Sequence, residues 1–148
     1  MTEVSMTATR GTAERVDELP RKVIRARCVA RALAGAAALA AIGACLSSIP
    51  SVADARPETS MVETWRLVGF ATFAALFVLL AVRPTALLSL WLVLIANKLA
   101  LTCIAMSFGP DVSGAGDAAI WDGALTLLLV AGFVAAVISR PQGSTIRS

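Results

Sequence analysis

The chain is predicted to be all-α, an integral membrane bundle of four transmembrane helices with both termini on the cytoplasmic side. Three observations carry that prediction. Of its 148 residues, 57% are hydrophobic and only 16% are charged, too apolar a balance for an ordinary soluble domain. Four apolar segments, at about 29–49, 64–82, 85–108 and 118–139, stand between clear breaks. The charges outside those segments are distributed unequally between alternate connections. A helix needs about 20 apolar residues to cross a ~30 Å hydrocarbon core. The third and fourth segments reach that alone, and the first two reach it with their flanks. None shows the alternation of a barrel strand, and a lipid-exposed backbone must bond to itself, which leaves helices.

Residues 1–28 read as a cytoplasmic basic tail. The first nine or so are polar and expected to be disordered. Pro20 suits a first helical position, so a helical pattern is expected from there. Arg21, Lys22, Arg25, Arg27 and Arg31 then form a basic collar at the inner surface. Such a collar attracts anionic lipid headgroups by about 1 kcal/mol per charge, and it also serves as a topology signal. Nucleic acid is not an expected partner, because the charge is juxtamembrane and has no aromatic platform beside it.

The first span contains "ALAGAAALAAIGAC", residues 32–45. Ala32, Ala36, Ala40 and Ala44 recur every four residues, with Gly35 and Gly43 beside them. Helix four carries Ala131, Gly132, Ala135 and Ala136, and helix two carries Gly69. Small residues at this spacing let helices approach closely in lipid, where packing rather than hydrophobicity drives association. The stripe predicts a packed face, either within the bundle or against a protein partner or second copy. Pro50 is expected to end this span. A signal-peptide reading of "RKVIRAR", with "ADA" as cleavage site or "IGAC" as a lipobox at Cys45, is disfavoured because the basic region follows about twenty polar residues.

Arg83-Pro84 joins the second and third spans through a tight helical hairpin. Gly109-Pro110 ends the third, and Asp117 is placed to cap the fourth. Residues 140–148 form a short cytoplasmic tail. The N-terminal tail, the hairpin and the C-terminal tail hold ten of the 13 basic residues, and Arg56 and Arg66 are the two others outside the third span. The opposite side carries Asp54, Glu58, Glu63, Asp111, Asp117 and Asp122. That bias places the termini inside and, with alanine-rich, arginine-rich composition, points to a bacterial plasma membrane. Trp65 and Trp121 fall at the predicted outer boundary, where indoles anchor, while Trp91 lies deeper.

The same residues exclude several functions. The chain has no histidine, hence no histidine metal ligand, haem ligand or general base. Cys28, Cys45 and Cys103 show neither a CxxC nor metal-ligand spacing. Cys45 and Cys103 lie at similar depth, about 7 Å below the outer surface, and would form a redox pair if helices one and three touched. No Ser-His-Asp set, paired catalytic carboxylates or cofactor loop is present. The chain is therefore expected not to be an enzyme and to hold no cofactor or metal.

The one residue out of keeping is Lys98, inside "LIANKLAL" at 94–101. It lies about 15 Å from one end of its span and 20 Å from the other, beyond comfortable snorkelling. A charge at mid-bilayer costs at least ~2.5 kcal/mol. Three explanations are open. Lys98 is paired, or reaches an Arg66–Asp122 pair through water or bonds Asn97, Thr102 and backbone carbonyls; or it is neutral among carbonyls; or it lines a cavity and contacts an anionic or proton-carrying ligand. Asp122 is the acid clearly inside a span, but by rise it sits about 9 Å above Lys98. Direct contact is therefore expected to be strained, and Arg66 is the easier partner for Asp122.

"WRLVGF", "RP", "NKLALT" and "WDG", spread over four spans, resemble the small uncharacterised four-helix integral membrane proteins of GC-rich actinobacteria, over roughly residues 29–139. The resemblance is one of layout and implies a four-helix membrane fold. The helix count is also similar to that of small multidrug transporters, but those use a glutamate in helix one, and this first span has no acid. Four-helix disulfide-forming oxidases use paired cysteines, which this chain lacks. The expected function is a non-enzymatic accessory or envelope-assembly protein. The alternative is a small transporter or ligand-binding membrane protein using Lys98, with Asn97, Thr102, Asp122 and Arg66 in support.

Overall fold

The computed structural model describes residues 3–108 and 112–140, with side chains from Arg21 onward. Four helices follow one another: α1 (Glu3–Ala53), α2 (Ser60–Val82), α3 (Leu88–Ser107) and α4 (Ala115–Ile138). Stretches Arg21–Ala53, Ser60–Val82, Leu88–Ser107 and Ala115–Ile138 are each long and apolar enough to cross a membrane. Their outward faces carry many large apolar side chains, among them Leu39, Val68, Val93, Leu127 and Val134.

Several boundaries differ from the sequence-based expectation. The backbone of α1 is helical from Glu3, ahead of Pro20, and runs through Pro50 to Ala53. A proline removes one N–H from the ladder. So near a helix end its cost is small, and Pro50 still accepts the closing bond from Asp54 N at 2.9 Å. Asp117 does not cap α4. That position belongs to Gly114, at φ +82°, a left-handed conformation that glycine adopts without strain. Asp117 sits instead in the first turn, where its charge favours the positive helix end. The break at Gly109-Pro110 and the tail beyond Arg140 lie outside the described residues.

α1 packs on both α2 and α4, and α3 packs on α4, so the spatial order is α2–α1–α4–α3. The sequence neighbours α2 and α3 do not form a packed pair. They meet through the short turn between them, where Pro84 is buried. There Trp91 Nε1 donates to Pro84 O at 3.0 Å and Arg140 Nε to Thr85 O at 3.4 Å. The two helices are joined at the hairpin end and part toward the end that carries the α1–α2 and α3–α4 loops.

The apolar core lies mainly toward the hairpin end and gathers Ala34, Ala37, Phe77, Leu80, Trp91, Leu94, Leu129 and Ala136. Trp91 is 0% exposed, with its N–H satisfied by Pro84, as a buried indole requires. It stands against Gly132, where a Cβ would lie 2.5 Å from Trp91 Cη2 and 2.6 Å from Cζ3. Glycine is thus what lets α3 and α4 close on each other here.

Close packing of α1 through small residues is present, but on another face from the one expected. Ala30, Ala34, Ala37, Ala38 and Ala41 are buried, whereas Ala32, Ala36 and Ala40 are exposed and Ala44 is half-buried. A Cβ at Gly35 or Gly43 would touch nothing within 4 Å. In an alanine run several four-residue registers compete, and the partner helices select one. In α4, Gly132, Ala135 and Ala136 are buried as expected and Ala131 faces outward.

Candidate functional site

Lys98 is 5% exposed, and its Nζ donates to Asp122 Oδ1 at 2.6 Å. This corrects the expectation that Asp122 pairs with Arg66 and that contact with Lys98 is strained. The reason lies in the helix ends. Lys98 is nine residues before the end of α3 at Ser107, and Asp122 is seven residues after the start of α4 at Ala115. At 1.5 Å per residue, two residues are only about 3 Å of rise, well within the reach of a lysine. The early start of α4 closes the distance that the apolar segment alone left open. The two helices also lie close beside the pair, where a Cβ at Gly123 would stand 3.5 Å from the methyl of Thr102.

The ammonium has a second partner, lying 4.5 Å from the centroid of the Phe73 ring on α2. A cation over an aromatic face gains electrostatic attraction, more so when desolvated. Phe73 in turn stacks with Phe77, centroids 6.1 Å apart. Lys98 therefore ties three helices, with its backbone on α3, its ion pair on α4 and its aromatic contact on α2. A charge-assisted bond of this length is stronger than a neutral one, and it answers the cost of placing an ammonium among apolar helices.

The other expected site residues divide. Asn97 is exposed beside Lys98. The Thr102 hydroxyl donates to the backbone carbonyl of Lys98 at 2.8 Å rather than meeting its ammonium. Thr126 does the same to the carbonyl of Asp122 at 2.7 Å. Both hydroxyls thus satisfy themselves on the preceding turn. Arg66 pairs within α2 with Glu63, and its side chain is 47% exposed.

Where α2 and α3 part, a crevice of about 570 Å³ opens between them. Its α2 wall includes Val62, Trp65, Arg66, Gly69, Phe70 and Phe73, its α3 wall is Asn97, Lys98 and Leu101, and Asp122 of α4 also lines it. The arrangement is apolar walls with a few converging polar groups, the usual composition of a ligand site. Phe73 and Gly69 were not anticipated. The signal that would have found them is the α2 stripe 62, 65/66, 69 and 73, spaced for one helix face and broken by a glycine that leaves a gap.

The three cysteines are free. Cys45 turns toward α2, with Sγ 3.9 Å from Leu67 O, and Cys103 is exposed on α3. Since α1 and α3 do not form a packed pair, the redox pair conceived from their equal depth does not form. Among the described residues no group of three or more His, Cys, Asp or Glu side chains is placed to hold a metal. No family model, curated protein or solved structure matches the chain.

Proposed function

We propose that this is a multi-pass protein of the bacterial plasma membrane with both termini in the cytoplasm, acting without catalysis as an accessory or envelope-assembly protein. Four helices with apolar outward faces support the membrane location. The excess of Lys and Arg on the side of the termini and the hairpin supports the orientation. The basic collar at Arg21 to Arg31 rests on anionic headgroups. The observation that carries the non-catalytic reading is the Lys98–Asp122 pair. Its two charges are spent on each other at 2.6 Å, in a three-helix joint whose neighbouring Thr102 and Thr126 hydroxyls are bonded to backbone carbonyls of their own helices. Fusion of a reporter that is active only in the cytoplasm is expected to give signal at either terminus. Activity there of a reporter that works only outside would overturn the orientation.

A second reading is favoured by the crevice: a ligand-binding protein or small transporter with Lys98, Asp122, Asn97 and Arg66 in contact with the cargo. The test that separates the two is water access at position 98. A single cysteine is placed there, with Cys28, Cys45 and Cys103 replaced, and intact cells are treated with a membrane-impermeant thiol reagent. Protection from this and from a permeant reagent is expected for a sealed joint. Labelling from outside establishes a hydrated path to mid-membrane and moves the assignment to transport.

A further inference from the structure

We propose that the crevice between α2 and α3 is a lateral binding site for a zwitterionic phospholipid. This inference rests on the second reading above, that the crevice takes a ligand, and names the ligand's class. The crevice opens on the flank between two helices whose outward faces are apolar, including Val62, Val68 and Leu101. A molecule entering from that flank arrives from among lipid chains and must itself be an amphiphile.

The charges at the site decide which head it carries. Lys98 is balanced by Asp122 and Arg66 by Glu63. A head with a net charge therefore enters a site whose own charges are already balanced and finds no free counter-ion, which is costly. An uncharged hydrocarbon wastes the polar groups that are still open. Asp122 uses Oδ1 for Lys98, and no hydrogen bond from the described residues reaches Oδ2. Its side chain keeps 16% exposure. The Arg66 guanidinium uses one nitrogen for Glu63 and has further N–H groups on the same crevice wall. One acceptor of negative charge and one donor of positive charge thus face one cavity. Phosphate on Arg66 and ammonium on Asp122 match both, and the Asn97 amide on the α3 wall offers a further donor or acceptor. A volume of about 570 Å³ holds a headgroup and the start of its chains, within the usual range for ligand sites.

Gly69 provides the test. It lines the crevice, and a Cβ there meets nothing within 4 Å, so Gly69→Phe or the smaller Gly69→Leu fills the space without displacing a packed neighbour. The full chain is purified in detergent, and its thermal unfolding is followed while phosphatidylethanolamine or phosphatidylglycerol of equal chain length is titrated into the micelles. The zwitterionic lipid is expected to raise the midpoint at concentrations at least tenfold below the anionic one. Gly69→Phe and Gly69→Leu are expected to lose that difference while keeping native helical content. Asp122→Asn, which leaves Lys98 without its counter-charge, is expected to turn the preference toward the anionic lipid. Equal response of the unaltered chain to both lipids, or a preference that survives in a folded Gly69 variant, overturns the proposal. The membrane reading fails separately: a chain that stays dispersed in water without detergent sinks that reading, whereas one that needs detergent and shows no lipid preference sinks only this site.

Discussion

Asp122→Ala is expected to destabilise the bundle by about 3 kcal/mol, read as the free energy of unfolding in detergent micelles. The substitution leaves Lys98, 5% exposed, with the Phe73 ring as its remaining partner among the described residues. Breaking a buried pair from one side costs roughly 3–5 kcal/mol, because the remaining charge is left uncompensated. The lower end applies because the Asp122 side chain is 16% exposed and borders the crevice. Replacing both members tests the cause. Lys98→Leu/Asp122→Leu removes two charges together, and such exchanges are often neutral or stabilising. The double variant is expected to unfold within about 1 kcal/mol of the unaltered chain. A double variant as unstable as Asp122→Ala, with no coupling between the sites, would show that the two side chains do not act as a pair.

Gly132→Ala is expected to destabilise by about 1–3 kcal/mol although alanine is the better helix former. In an open helix position the exchange gains about 1 kcal/mol. At Gly132 the new methyl would stand 2.5 Å from Trp91 Cη2. The indole has no room to yield, being 0% exposed and bonded through Nε1 to Pro84 O at 3.0 Å. α3 and α4 must move apart, and overpacking of a filled core costs about 1–3 kcal/mol. Two comparisons isolate the contact. Gly69→Ala, with open space around its Cβ, is expected to be neutral or slightly stabilising. Trp91→Phe removes both clashing ring atoms, so adding Gly132→Ala to it is expected to cost little. A Gly132→Ala penalty that persists unchanged beside Trp91→Phe would place its origin elsewhere.

The four helices could be read from the chain because apolar length is a local property. About 20 consecutive apolar residues have one economical conformation whether or not their neighbours are known. The tight turn at Arg83-Pro84 and the interruption before α4 were legible for the same reason. Helix ends were less so. Pro50 falls inside α1 because a single missing N–H near a terminus is tolerated, and α4 begins at Ala115, with the left-handed Gly114 rather than Asp117 at its N-cap.

Those small displacements mattered at the site. Lys98 identifies itself in sequence as the charge that needs a partner. Measured from the edges of the apolar segments, Asp122 lies about 9 Å of rise away from it. With α4 starting three residues earlier and α3 ending one residue earlier, the gap falls to about 3 Å and the pair forms. Arg66 illustrates the opposite case. Its nearest acid, Glu63, is three residues back on its own helix and needs no tertiary fold to reach it. The packed face of α1 was not legible for a third reason. In "ALAGAAALAAIGAC" many small-residue registers are equivalent, and only the positions of α2 and α4 distinguish Ala34 and Ala37 from Ala36 and Ala40.

By itself, then, the sequence determined four apolar helices, an unequal charge distribution across them, and one lysine that must be satisfied inside. These follow from composition and spacing, which act within a single segment. Only the tertiary structure decided that Lys98 joins Asp122 and Phe73. The parting of α2 from α3 to open a crevice, and the closure of Trp91 onto Gly132, were settled at the same level. Each of these depends on the relative rotation and register of two or three helices, quantities set by side chains far apart in the chain meeting at a few ångströms.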